Sequence, residues 1–195
     1  MTHSPDALPW QEAFKLSRIN HRAPYLRFIT WAFDIEVKTI AEIGVNKGET
    51  SQLLRHLFPD AALYLIDPWE YSPDYIQSAT PISEKKNHYD KAYQSVCDLF
   101  RDDPKTTLLK MTSLEAIHHT PDALDLVFID ANHSYPHVKE NILAWLPKVR
   151  PGGLLAGHDY TIDIPAFSGV KQAVDEILGK KIMLGKDRVW IHKKD

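Results

Sequence analysis

The chain alternates between two hydrophobic patterns. Apolar residues three and four apart mark helices, and short continuous apolar runs bounded by glycine, proline or acids mark strands buried on both faces. Tyr25, Leu26, Ile29, Trp31, Ala32 and Phe33 predict a helix over 24–33 whose aromatics belong to the core. Ahead of it, Trp10, Phe14 and Ile19 anchor a weaker amphipathic stretch, expected to be a short helix that packs on the domain or covers its site. Strand-like runs follow at 39–42, 62–67, 106–110, 124–129 and 154–156, with helical patterns at 50–57, 89–100, 138–149 and 170–178 between or after them. Two last runs, 182–184 and 189–192, flank Gly185, Lys186, Asp187 and Arg188 and predict a closing hairpin. Strands alternating with helices predict an α/β domain: a doubly wound, mostly parallel sheet of about seven strands with helices on both faces and an antiparallel C-terminal hairpin.

A length of 195 residues suits one domain with a substantial core. The pattern divides it into an N-terminal helical segment, 1–38, and a single α/β domain, 39–195. The connection 68–104 is long, and its first half is rich in Pro, Ser and Tyr, so it is expected to act as a lid that touches substrate. Its charge run at 84–88 reads as a solvated loop. A net charge of −3 argues against a nucleic-acid binder that works by phosphate neutralisation. There is one cysteine, Cys97, so no internal disulfide and no CxxC motif. A reducing, cytoplasmic setting is expected, since the N-terminal stretch lacks the basic and apolar tract of a signal peptide and no run is long enough to span a membrane. The expected partner is a small molecule, with no nucleic acid and no membrane. The oligomeric state is not legible.

The candidate chemistry sits where strands end, because ligands of open α/β sheets bind outside the carboxyl ends of the strands. After the first strand come Gly44 and Gly48, which let the backbone turn sharply ahead of a helix whose free amides suit an anion. Neither a GxxxxGK[ST] nor a GxGxxG motif is present. The second strand ends in Asp67, about twenty residues beyond the glycine loop, where an acid can accept from ribose hydroxyls. Trp69 is placed either to stack on an adenine or to pack on the next helix. Ser113 either caps the helix after the third strand or borders the adenine. His118 and His119 read as solvent-facing. In the stretch 125–160, a buried strand ends in Asp130, His133 follows three residues later, a Pro-Gly-Gly turn precedes another buried strand, and His158 and Asp159 stand at its exit.

Taken together, AEIGVNKGETS (41–51), LYLIDPW (63–69), FIDANHSY (128–135) and RPGGLLAGHDY (150–160) resemble the class I S-adenosylmethionine-dependent methyltransferases, whose fold is Rossmann-like. The likeness runs from about residue 39 to the C-terminus. It is greatest to the group of small-molecule O-methyltransferases of the catechol type, macrocin-type sugar methyltransferases and cephalosporin hydroxylase-like proteins. The resemblance implies that Glu42 and the backbone from Gly44 to Gly48 hold the methionine part of S-adenosylmethionine, with Thr50 near its carboxylate. Asp67 would take the ribose, and Ser113 would lie beside the adenine. Asp130 stands at a metal-ligand position of the metal-dependent members, and His158 with Asp159 at their second pair. His133 takes the place of a catalytic lysine. Imidazole at 158 suits Mn²⁺, Fe²⁺ or Zn²⁺ better than Mg²⁺, and Met111 stands where related sequences often carry glycine. The implied reaction is O-methylation of a small hydroxylated, sugar-containing or other acceptor, with or without a divalent metal. A hydroxylase-like or nicotinamide-linked oxidoreductase, and a nucleoside-binding module without turnover, stay open.

Overall fold

The computed structural model describes residues 8–70, 82–161, 164 and 167–195; the first part of the expected lid, 71–81, lies outside them. Two helices come first, α1 (Trp10–Arg18) and α2 (Arg22–Ala32). Then β1 (Thr39–Ile43), α3 (Glu49–Leu57), β2 (Ala62–Ile66), α4 (Ile82–Leu99), β3 (Thr106–Leu109), the one-turn α5 (Ser113–Ala116) and β4 (Leu124–Ile129) follow. The chain closes with α6 (Tyr135–Trp145), β5 (Val149–Gly157), α7 (Ser168–Leu178), β6 (Met183–Leu184) and β7 (Trp190–Lys193).

The strands form one sheet of order β3-β2-β1-β4-β5-β7-β6. The first five run parallel; β7 is antiparallel to β5, and β6 to β7. Strand periodicity explains why both faces are covered. Ile40, Leu126, Phe128, Leu154 and Ala156 point to one face, where Leu26, Leu54 and Val96 of α2, α3 and α4 pack. Their neighbours Ala41, Val127, Ile129 and Leu155 point to the other, where Ile142, Trp145, Ala173 and Val174 of α6 and α7 pack. Every residue of β4 is buried, as its apolar run requires.

Four expectations need correction. The charge run 84–88 is not a loop: α4 already begins at Ile82, in keeping with the helix propensity of Glu and Lys. The Pro-Gly-Gly segment is not a turn before the strand but part of β5. Its surplus residues are absorbed by a register shift opposite Leu124 and Leu126, with Gly152 in the left-handed region at φ 75°. The helix expected at 138–149 is α6, which starts at Tyr135 and ends at Trp145. Ser113 does not cap α5. Thr112 does, its side chain accepting from the Glu115 N–H while Glu115 accepts from the Thr112 N–H.

Chain order in the sheet places the crevice. From β1 the chain winds outward through β2 to β3, then returns to lay β4 on the other side of β1, so a cleft opens at the ends of β1 and β4. Asp125, at the opposite end of β4, is a structural pin. It accepts from the backbone N–H groups of Lys38 and Thr39 and pairs with Arg150.

Candidate active site

A cavity of about 680 Å³ occupies that crevice, within the range of about 300–1,000 Å³ usual for small-ligand sites. Its wall is built from the ends of β1, β2, β4 and β5, the first turn of α2, the loop before α3, and His88 and Tyr89 of α4. Glu42, Gly44, Thr50, Asp67, Ser113, Asp130, His133, His158 and Asp159, all expected from the sequence, line it together.

Gly44 and Gly48 have different tasks. Gly44 has φ 91°, and an ideal Cβ there would lie 2.0 Å from the carbonyl oxygen of Asp130. The loop after β1 therefore closes directly onto the end of β4. Gly48 precedes α3 and is not part of the cavity wall; a Cβ there would meet Val96 of α4 at 3.2 Å. Asp67 ties the loop down: its Oδ2 accepts from the Val45 and Asn46 N–H groups at 2.9 Å each, and its Oδ1 accepts from the Trp69 N–H at 2.7 Å. Trp69 is the second expected donor contact that does not line the cavity. Its φ of 45° accompanies a side chain only 1% exposed, the indole N–H donates to the Asn46 carbonyl, and the ring packs 5.0 Å from Tyr93. It braces the glycine loop from behind.

Ser113 is engaged from two sides, donating to Asn141 and accepting from the Trp145 indole at 2.7 Å. Glu42 is 1% exposed and accepts from the Ser51 hydroxyl at 2.5 Å. Burial disfavours its charged form and pushes its pKa up to about 8, so the carboxyl is protonated at neutral pH. The folded chain then holds a proton that the unfolded chain loses. Stability on this account is greatest below the ordinary carboxylate range and falls as pH rises toward about 8. Glu42→Gln should remove that slope, of at most about 1.4 kcal/mol per pH unit. Denaturant unfolding at mildly acidic and mildly basic pH should show the variant gaining on the native protein at the basic end.

At the other end of the cavity the exits of β4 and β5 meet. Asp159, at φ 58°, stands in a conformation uncommon outside glycine and tolerated by aspartate. The Nε2 of His133 lies 2.9 Å from its Oδ2, and the His133 ring packs 4.5 Å from Phe167. The Nδ1 of His158 lies 3.2 Å from Asp159 Oδ1 and 3.6 Å from Asp130 Oδ1. Burial alone would raise the Asp159 pKa, but the hydrogen bonds from both histidines overcome it and hold this carboxyl below the usual range. Asp130 moves the other way, because burial outweighs the attraction of His158 and Arg22. Burial pulls the His158 pKa down, and the two aspartates more than reverse it, so it is raised.

The metal group expected from sequence differs from the one that converges by a single residue. Among the described residues, Asp130, His133 and Asp159 bring one ligand atom each to within 4.8 Å of one another, and His158 is not among them. Arg22 of the cavity wall and Asp187, which holds it from outside that wall, carry no local sequence signal. Arg22, the first residue of α2, and Asp187, in the β6–β7 turn, are 165 residues apart, yet the Arg22 N–H donates to Asp187 Oδ2.

A parallel sheet wound in this order, with a glycine loop after β1, an acid after β2 and an antiparallel β7, is the architecture of the class I S-adenosylmethionine-dependent methyltransferases. Within that class the chain belongs to the family described as "Methyltransferase domain", whose model matches residues 41–160. No curated protein matches it by sequence. Among solved structures it is similar to the O-methyltransferase NovP, with 17% identity and a TM-score of 0.64 over 89% of this chain and 79% of that one. It is also similar to the S-adenosylhomocysteine-bound methyltransferase PaMTH1 of Podospora anserina, with 17% identity and a TM-score of 0.58 over 100% and 90%. The O-methyltransferase TomG of Streptomyces achromogenes, involved in tomaymycin synthesis and solved with S-adenosylmethionine, gives 16% identity and a TM-score of 0.53 over 98% and 93%. At these identities the likeness is one of fold. No described helix is long and apolar enough to cross a membrane.

Proposed function

We propose that the protein transfers a methyl group from S-adenosylmethionine to a hydroxyl oxygen of a small acceptor. The observation that carries this reading is the continuity of the cavity: Asp67 and Ser113 stand at one part of its wall, and the His133–Asp159 pair at another. The donor, when bound, supplies an electrophilic methyl on a sulfonium. Asp67 would take the ribose hydroxyls, Ser113 the edge of the base, and Glu42 the polar end of the amino acid. With Nε2 of His133 donating to Asp159, the lone pair left on Nδ1 can take the acceptor's proton as its oxygen attacks. Asp159 fixes the ring and stabilises the imidazolium that forms, much as a buried carboxylate does for other catalytic histidines. Products are the methyl ether, S-adenosylhomocysteine and a proton.

Two carboxylates and an imidazole also fit a divalent cation of the Mn²⁺, Fe²⁺ or Zn²⁺ kind. Asp130, His133 and Asp159 would hold it, and it would lower the pKa of a bound hydroxyl. The two roles of His133 exclude each other, since a metal on Nε2 forces the proton onto Nδ1 and removes the base. His133 and His158 already flank Asp159, and His158 and Arg22 flank Asp130, so the charge of both acids is met by the chain itself. This favours the metal-free base.

The test is transfer of labelled methyl to a panel of hydroxylated acceptors, catechols and sugar-containing compounds included, with and without chelator. We expect label on oxygen and undiminished activity in chelator. Activity lost to chelator and restored by Mn²⁺ would assign the trio to a metal, and label on nitrogen or carbon alone would overturn O-methylation.

A further inference from the structure

The motifs of the α/β domain leave the N-terminal helices without a task, yet α2 sets a guanidinium into the cavity wall. The Nε of Arg22 donates to the Thr50 hydroxyl at 2.8 Å and lies 3.3 Å from Asp130 Oδ2. Its backbone N–H donates to Asp187 Oδ2 at 3.1 Å, and its Nη1 lies 3.5 Å from the same oxygen. One side chain thus joins α2, α3, the end of β4 and the β6–β7 turn. The turn is seated for this. Asp187 and Arg188 are both left-handed, at φ 54° and 55°, as a tight hairpin turn demands. Gly185 packs so closely on α2 that a Cβ there would lie 2.0 Å from the Tyr25 ring. Arg22 is therefore held in place before any ligand arrives, which lowers the entropy lost when it binds one.

We propose that Arg22 binds the carboxylate of the amino-acid part of the methyl donor, with Thr50 beside it and Asp187 as the residue that positions it; this rests on the donor reading above. A donor with a nucleoside at the Asp67 and Ser113 end must present its amino acid along Glu42, Gly44 and Thr50, which share the same wall. Arg22 and Lys47 are the basic side chains of lysine or arginine type in that wall among the described residues. Arg22 is tied to Thr50, in the first turn of α3, where free amides and the helix dipole already favour an anion. A guanidinium offers a planar fork that matches a carboxylate, and only part of the Arg22 fork is taken by the contacts above.

The test compares two ligands on one protein, so any effect on folding cancels. S-adenosylhomocysteine carries the carboxylate, and S-adenosyl-3-thiopropylamine lacks that group alone. Calorimetric titration of the native protein should show a preference for the first of about 10- to 100-fold, the worth of a charge-assisted hydrogen bond. In Arg22→Ala the preference should collapse to about twofold or less, with affinity for the amine nearly unchanged; Arg22→Lys should keep part of it. Asp187→Asn should shift the ratio the same way by a smaller factor. If Arg22→Ala weakens both ligands equally, or leaves the preference intact, Arg22 merely neutralises Asp130 and the proposal fails. If the native protein binds neither ligand, the donor reading falls and takes the proposal with it.

Discussion

Gly44→Ala should destabilise the protein by about 4 kcal/mol or more, a loss reserved for a few identifiable mechanisms, and should abolish ligand binding in whatever folds. Two independent costs meet at this residue. Its φ of 91° lies where an L side chain is strained, and the new Cβ would stand 2.0 Å from the Asp130 carbonyl oxygen and 2.5 Å from its carbon. Those are backbone atoms of the residue that directly follows β4, so neither can swing aside as a flexible side chain would. Any relief must separate the loop from the end of β4, which spreads the wall that holds Asp130. Gly152→Ala is the control. It shares the left-handed backbone, at φ 75°, but its Cβ would meet only the movable Arg150 Nη1 at 3.4 Å, so about 1 kcal/mol is expected. In thermal melts the first variant should lose on the order of 10 °C and the second a few degrees. Equal losses would mean that backbone strain alone, not closure of the loop on β4, sets the requirement for glycine.

The largest effect on turnover is expected from His133→Ala, which should lower kcat by about 10²- to 10⁴-fold, the usual worth of a positioned base. Affinity for S-adenosylhomocysteine should stay within about threefold of native, since donor contacts are assigned to other residues. Asp159→Ala should cost a comparable factor, because it frees the imbalanced ring from its 2.9 Å partner. The double variant should then be little worse than either single one, as groups that act as a unit are not additive. Steady-state kinetics of the three variants decide this. Multiplicative losses would show that the two residues act separately, Asp159 on Asp130 and His158 instead of on His133.

The sheet was legible because its evidence is local: continuous apolar runs such as 124–129 leave no face for water, and their alternation with helical patterns admits few arrangements. The strand-end acids were legible too, since the parallel strands β1 to β5 send their carboxyl ends to one edge. What the sequence concealed depends on contacts between distant segments or on a single dihedral angle. Trp69 reads either as an adenine contact or as packing on the next helix; its left-handed backbone turns it behind the loop, where it packs on Tyr93 of α4. Ser113 reads either as a cap or as a neighbour of the adenine; the extended backbone at Thr112 makes that residue the cap, and the Ser113 hydroxyl binds Asn141 and Trp145. Arg22 and Asp187 could not be found by spacing, because the turn and α2 meet only in the folded chain. His158 was expected to ligate beside Asp159, and its neighbour across the cleft, His133, is the imidazole that converges with both acids.

The central claim is that this cavity is a methyl-donor site, with the nucleoside at Asp67 and Ser113 and the reacting end at Asp130, His133 and Asp159. Calorimetric titration of the full chain with S-adenosylmethionine, S-adenosylhomocysteine and NADH tests it most directly. The account predicts one sulfonium ligand or its thioether product bound per chain, and no heat of binding from NADH. Saturable binding of NADH with none of the sulfonium would contradict it.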